Sequence, residues 1–210
     1  MPAIIKINPL QPDPSLIQAA VDILKRGGVI AYPTETFYGL GADFLRHDAI
    51  TRLFDIKGRS FNSPVALIGG RHSDLALITD KIPKAARQLM QVLWPGPLTL
   101  IFYASPQVPP RLTAGTGKIG IRISSHTIAH ALALALGRPV TATSANLSGQ
   151  TECISAEEVL HQIGSHIDMI IDAGKTPGGQ GSTIVDLTVI PPAILRKGAV
   201  SNKQVLQALA

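Results

Sequence analysis

A single cysteine, Cys153, stands in 210 residues, which excludes an internal disulfide and any zinc cluster built on cysteine pairs, and fits a reducing compartment. Aromatic residues make up only 4%, and Lys and Arg are dispersed rather than massed, so the chain lacks the basic helix or strand aromatics of a short RNA-binding domain. No apolar stretch reaches the roughly 18 residues of a membrane span. Residues 1–14, MPAIIKINPLQPDP, are too short and too proline-broken for a signal peptide, and the expectation is a cytoplasmic protein without membrane contact. No repeat, low-complexity tract or linker marks a second domain. A formal charge of +5 favours anionic partners by steering and names none of them.

Glycine and proline are plentiful instead, at 19 and 16 residues, and 45% of the chain is hydrophobic. That is enough for one sizeable core threaded by tight turns and backbone-lined loops. Ser15 reads as the cap of a helix with apolar positions Leu16, Ala19, Ala20, Ile23 and Leu24, ended by Gly27 and Gly28. A short strand follows over 29–32. Helices then read over 49–56, 83–93 and 128–136, interleaved with strands over 65–68, 98–102, 119–123 and 140–142. The Ala and Leu content of 128–136 predicts a helix buried on most sides. Ser155 to Glu158 matches a capping box opening another helix, before strands over 169–171, 183–187 and 194–195 and a last helix after Ser201. This is an α/β layer architecture; the pattern leaves parallel and antiparallel pairing open. GKTPGGQGS, 174–182, is the loosest piece and reads as a loop able to lie over a site.

Two phosphate motifs fail on inspection. A Walker A loop ending at Lys118 would need glycine at Leu112 and a hydroxyl at Ile119. Gly115, Gly117 and Gly120 satisfy G-x-G-x-x-G, yet they lead into a strand rather than out of one into a helix. His126 and His130 lie four apart without a glutamate between them, and read as a helix-start and a helix-surface histidine; no metal ligand is assigned.

Other stretches carry polar groups where core is expected. PTETFYGLG, 33–41, sets Thr34, Thr36 and Tyr38 beside two glycines after a strand. It could present hydroxyl and backbone donors to a ligand or simply form a stiff turn. Glu35 could accept an amine, orient a neighbour or close a salt bridge. Lys57 and Arg59 flank Gly58 at a helix end, beside a polar turn over 60–63; they suit the helix dipole, and equally a polyphosphate or carboxylate. Arg122 lies among Ile119, Gly120, Ile121 and Ile123, either facing solvent or clamping a carboxylate. TATSANLSG, 141–149, supplies Ser144 and Asn146 at a strand end, Ser182 precedes another strand, and Arg196 closes a third. With no Ser-His-Asp grouping and no obvious nucleophile, the chemistry implied is electrostatic positioning.

PTETFYGLG, KGRSFNSP, WPGPLTLIF, IGIR, TSANLSG, GSTIVD and ILRKG occur in the order found in the Sua5/YrdC/YwlC family, the threonylcarbamoyl-AMP synthases of tRNA modification, which this chain resembles over about 15–200. The resemblance implies one YrdC-like α/β domain, 8–200, with a helical tail over 201–210, and a twisted mixed sheet around a deep basic cavity. It implies the short form, without the extra C-terminal domain of longer members. The implied reaction joins L-threonine, bicarbonate or CO2 and ATP into threonylcarbamoyl-AMP and diphosphate, with Mg²⁺ arriving on the ATP. A separate complex then modifies adenosine 37 of ANN-decoding tRNAs, so transient contact with tRNA or that complex is implied too. By the same resemblance Thr34, Thr36, Arg122, Ser144 and Ser182 are expected at threonine, and Lys57, Arg59, Ser63, Lys118, Ser144, Asn146 and Arg196 at ATP. Lys57, Arg59 and Arg122 are the expected catalytic set. The departures are Ser60 for a usual proline, Ile68 for a frequent histidine and Gly181 for a frequent glutamate. The alternatives are a double-stranded RNA binder without catalysis and a carbamoyl-transfer module of hydrogenase-maturation type.

Overall fold

The computed structural model describes residues 1–58 and 63–210. The chain begins with β1 (Ala3–Lys6) and α1 (Pro14–Lys25), then forms a hairpin of β2 (Ile30–Pro33) and β3 (Tyr38–Gly41), followed by α2 (His47–Lys57) and β4 (Leu67–Gly69). Next come α3 (Lys84–Leu93), β5 (Leu98–Tyr103), the single turn α4 (Pro110–Thr113), β6 (Lys118–Ile123) and α5 (Thr127–Leu136). Two-residue strands β7 (Val140–Thr141) and β8 (Thr143–Ser144) precede α6 (Ala156–Ile163), β9 (Met169–Asp172), β10 (Thr183–Asp186), β11 (Ala193–Arg196) and α7 (Asn202–Leu209).

The α/β class holds, with the strands divided between two sheets rather than gathered in one. One sheet runs β1-β9-β2-β3-β8 and the other β11-β10-β5-β6-β4-β7, and each mixes parallel and antiparallel pairs. The segment 140–144 belongs to both. β7 pairs antiparallel with β4, and two residues later β8 pairs antiparallel with β3. Between them the Ala142 amide donates to Ala66 O at 2.8 Å, and Thr141 Oγ1 accepts from the Ala42 amide at 2.8 Å.

Local chemistry accounts for where the helices start and how they turn. Asp13, not Ser15, caps α1: its carboxylate accepts from the Ser15 amide, and Pro14 takes the first turn, where a missing N–H costs nothing. The buried stripe is Ile17, Ala20, Val21 and Leu24 rather than the one that includes Leu16, Ala19 and Ile23. Helix α5 buries Ile128, Ala129, Leu132, Ala133 and Leu136 against α1 and the sheet carrying β4 but leaves Leu134 exposed, so its apolar content exceeds its burial. At α6, Ser155 accepts from the Glu158 amide, while Glu158 reaches back to the amide of Ile154 rather than of Ser155. Helix α7 buries Val205 and packs on α3. No helix among the described residues is long and apolar enough to cross a membrane.

The glycines of β3 face one ring. Tyr32 is fully buried, pairs in register with Gly39, and donates its hydroxyl to Thr141 O at 2.8 Å across the seam between the sheets. A Cβ at Gly41 would stand 2.7 Å from Tyr32 Cε1, and one at Gly39 3.1 Å from Tyr32 Cζ. The glycines are thus the floor on which Tyr32 lies. Gly41→Ala is expected to push the ring off Thr141 and cost about 1–3 kcal/mol, a fall in Tm of roughly 3–10 °C, with Gly39→Ala costing less. Thermal unfolding of both variants checks this; a Gly41→Ala protein that melts like wild type would show that the ring has room to move.

Candidate active site

The turn between β2 and β3 sets the first wall. Thr34 Oγ1 donates to Phe37 O at 2.7 Å and lies 3.1 Å from Thr36 Oγ1, a hydroxyl-stabilised turn that leaves both threonines lining a cavity of about 380 Å³. Tyr38 lies in the same wall, but its hydroxyl donates to Gly174 O at 2.8 Å, and burial pushes it up to about 12. That contact, with Gly178 N donating to Thr36 O and Thr176 N to Ile154 O, pins the glycine-rich loop over 174–182 to this wall.

WPGP joins three strand ends at the opposite wall. The Gly96 amide donates to Ile123 O at 2.8 Å, the Thr183 amide donates to Pro97 O at 2.9 Å, and Trp94 Nε1 donates to Leu98 O at 2.7 Å. Ile123 and Thr183 directly adjoin Arg122 and Ser182, so the turn sets these two side chains into one cavity. Arg122 is 6% exposed and its Nε donates to Glu35 Oε1 at 2.9 Å. The inward-facing choice for Arg122 therefore holds. Ser182 Oγ sits between Thr99 Oγ1 at 2.8 Å and Arg196 Nη2 at 3.0 Å, while Arg196 Nε donates to Ser182 O at 2.9 Å. Arg196 is exposed, and partial desolvation of its guanidinium, reinforced by the neighbouring Arg122 charge, holds it below its ordinary value. Two arginines facing one cavity make it a place for an anion.

A second, more open cavity adjoins the first, sharing Thr143, Ser144 and Glu152 with it and lined further by Lys57, Ser63 and Asn146. Gly58 adopts the left-handed conformation, φ 56°, that ends α2. Lys57, 3% exposed, turns from the helix end into the SAN loop, donating to Ser144 O at 2.6 Å and Asn146 Oδ1 at 2.9 Å, with Ser144 Oγ at 3.4 Å. Asn146 in turn donates to Leu147 O and Gln150 O, and the Ser148 amide donates back to Lys57 O. A buried ammonium thus organises the loop that forms this cavity's edge.

Of the residues singled out in the sequence, Thr34, Thr36, Arg122, Ser144, Ser182 and Arg196 converge on the first cavity, and Lys57, Ser63, Ser144 and Asn146 on the second. Arg59 lies outside the described residues. Lys118 lines neither cavity; it starts β6 and its ammonium is 3.0 Å from Asp186 Oδ2. Glycines 115, 117 and 120 do lead into that strand. His126 caps α5, accepting from the Ile128 amide, and His130 contacts Gly70 O. Ile68 is fully buried in the apolar cluster between α1 and α5. Thr143, one of the hydroxyls that TATSANLSG supplies, lines both cavities, and Thr99 and Glu152 line the site without having been picked out. Thr99 had a signal, a lone hydroxyl in the apolar run LTLIF. Cys153 is buried and its thiol pushed up to about 11, chiefly by burial, which keeps it from acting as a thiolate.

The sequence and the fold recur in known proteins. The family described as Sua5_yciO_yrdC, telomere recombination, matches residues 22–198. The threonylcarbamoyl-AMP synthase of Pyrococcus abyssi is 38% identical over 90% of this chain, and the chain spans 56% of that protein's length. The threonylcarbamoyl-AMP synthase of Vibrio cholerae is 41% identical over 87% of the chain, which here spans 97% of the relative. A crystal structure of P. abyssi Sua5 complexed with L-threonine superposes with a TM-score of 0.95 at 35% identity, covering 99% of this chain and 61% of that one. A match running through both cavities, from the PTETF turn to the strand that ends in Arg196, places the chain in the Sua5/YciO/YrdC family.

Proposed function

We propose that the chain is an L-threonylcarbamoyladenylate synthase, a nucleotidyltransferase that joins L-threonine, bicarbonate or CO2 and ATP into threonylcarbamoyl-AMP and diphosphate. The observation that carries this reading is the pair of joined cavities, one holding two arginines and the other a buried lysine, with Ser144 in both. The likeness to P. abyssi Sua5 with bound threonine supports it. In the first cavity Arg122 holds the amino-acid carboxylate, and Thr34 and Thr36 with Ser182 surround the amino acid. In the second, Lys57 with Arg59, Ser63 and Asn146 holds the nucleotide phosphates. The threonine amine takes up the carbon source as a carbamate. A carbamate oxygen then attacks the α-phosphorus of ATP, and diphosphate leaves. Arg196, on the Arg122 side rather than beside Lys57, faces the carbamate and the charge that develops on the α-phosphoryl oxygens. The product, a reactive mixed anhydride, needs prompt delivery, so contact with tRNA or a downstream transfer complex belongs to the same proposal.

Magnesium fits this site as a companion of the nucleotide. Among the described residues no three His, Cys, Asp or Glu side chains could hold a metal, and Glu152 is the sole carboxylate lining either cavity. An ion keeping its waters and phosphate ligands, with at most Glu152 from the protein, suits magnesium. When bound it neutralises phosphate charge.

Three outcomes are expected. Radiolabelled bicarbonate enters an acid-labile adenylate in a reaction that also needs threonine and ATP; equal AMP and diphosphate release without any carbon source would overturn the assignment. Chelation abolishes the reaction, and protein dialysed without ATP retains no stoichiometric magnesium by elemental analysis. Arg122→Ala lowers kcat/KM for threonine by roughly 30- to 1000-fold, about 2–4 kcal/mol, and Arg122→Lys recovers part of that loss because it restores charge without the planar fork. Near-wild-type kinetics in folded Arg122→Ala would remove the arginine from the site.

A further inference from the structure

Glu35 is nearly buried, its side chain 11% exposed, yet it is absent from the residues lining either cavity. Both its oxygens are engaged. Oε1 accepts from Arg122 Nε at 2.9 Å, and Oε2 accepts from the hydroxyl of Ser124, which itself accepts from the His126 amide at the start of α5. The carboxylate is therefore held between the β2–β3 turn and the beginning of α5. The side-chain hydrogen bonds of Arg122 to the described residues pass through Nε alone, while the side chain lines the first cavity.

A guanidinium gripped at Nε keeps its two terminal nitrogens as a free edge, the fork that meets a carboxylate with two parallel hydrogen bonds. We infer that Glu35 is a positioning residue: by holding Nε and neutralising Arg122 beside the second cation Arg196, it fixes the edge of Arg122 that receives an amino-acid carboxylate. The inference rests on the threonine reading of the Arg122 cavity. Glu35 touches neither substrate; it acts through Arg122. Ser124 supports Glu35 in turn, so the line of influence runs from the start of α5 to the ligand.

The test compares wild type, Glu35→Gln, Glu35→Asp, Ser124→Ala, Arg122→Ala and the Glu35→Gln/Arg122→Ala double variant. The readouts are threonine and ATP kinetics, and calorimetric titration of threonine without ATP. Glu35→Gln is expected to raise the threonine KM and calorimetric Kd about 10- to 100-fold, with the ATP KM within about 2-fold of wild type. Glu35→Asp restores part of the loss, since the charge returns at shorter reach. On the Arg122→Ala background, Glu35→Gln adds less than about 2-fold in kcat/KM, because two residues acting through one contact are not additive. Unchanged threonine binding in folded Glu35→Gln, or a full further loss on the Arg122→Ala background, overturns the inference. Should Glu35→Gln fail to fold, Ser124→Ala decides: a rise of about 3-fold or more in the threonine KM alone supports the inference, and an unchanged value overturns it. A wild type that binds threonine but forms no bicarbonate-dependent adenylate refutes the proposed reaction and leaves the Glu35 result to stand on the titrations.

Discussion

Five residues, Val140 to Ser144, must satisfy the edges of two sheets at once, and the geometry of the site follows from that constraint. β7 completes the sheet that carries Arg122, and β8 completes the sheet that carries the PTETF hairpin. A segment crossing between sheets in so few residues cannot let their ends lie flush. The gap beneath the crossing is bounded by Ala142, Thr143 and Ser144; the amides of Thr141 and Ala142 donate to Ala42 O and Ala66 O, and the Thr141 hydroxyl donates to Leu40 O and accepts from the Ala42 amide. Tyr32 fastens the crossing from below through Thr141 O. The cavity is thus a product of topology, and its walls are strand ends whose directions are fixed by pairing.

Charge is placed on this frame with unequal compensation. Asp43, fully buried, is met by Arg138, and Asp168 by Arg52; the first pair ties the segment after β3 to the segment after α5, and the second ties the approach to β9 to α2. Near the cavities the accounting differs. Arg122 has one carboxylate on its Nε side, and Arg196 is hydrogen-bonded by Ser182, a neutral residue. Burying the Arg122 guanidinium beside that of Arg196, which is itself exposed, is unfavourable unless something negative completes the set, and the fold keeps both in place through WPGP and β11. Gly181 contributes by omission: a Cβ there would lie 3.4 Å from Arg196 Nη2, in ordinary contact, so the position itself tolerates a side chain, and none is present to cover the guanidinium.

Much of this was legible from pattern. Strand β5 and helices α2, α3 and α5 announce themselves by their apolar pattern, α3 also by Pro83 at its start, and Arg122 and SAN stand out as polar groups where apolar ones are due. What was not legible depends on partners far away in sequence. AIIK in β1 looks like any proline-flanked terminus until β9 pairs with it, and two-residue β8 has no period at all. The buried stripe of α1 lies one residue from the one the pattern suggests because apolar residues at 16, 17, 19, 20, 21, 23 and 24 fit either face, and only packing decides between them. Lys118 and Arg122 fall on the same face of β6, yet four residues of strand separate them by roughly 13 Å, which takes Lys118 out to Asp186. Glu152 gave no signal, and Glu35 offered only a choice between accepting an amine, orienting a neighbour and closing a salt bridge, since a carboxylate's meaning lies in which cation faces it.

The shared wall between the cavities bears on the order of events in the proposed reaction. Ser144 belongs to both cavities, and its carbonyl accepts from Lys57 while its neighbour Thr143 pairs with Leu40 of the hairpin. An amino acid held by Arg122 on one side and a nucleotide held by Lys57 on the other can meet only across this strand end. The reacting carbamate and α-phosphate would therefore lie over β8, between Arg196 and Lys57. Neither cation need move for the charge that develops as the carbamate oxygen attacks. Lys57 is fixed by two short bonds to the loop and Arg196 by two to Ser182, so both donors are in place before the transition state forms, the condition under which electrostatic stabilisation is largest. In the proposed reaction, rigid placement of cations around a gap set by sheet topology does the work that a covalent nucleophile, for which the sequence offers no obvious candidate, would otherwise do.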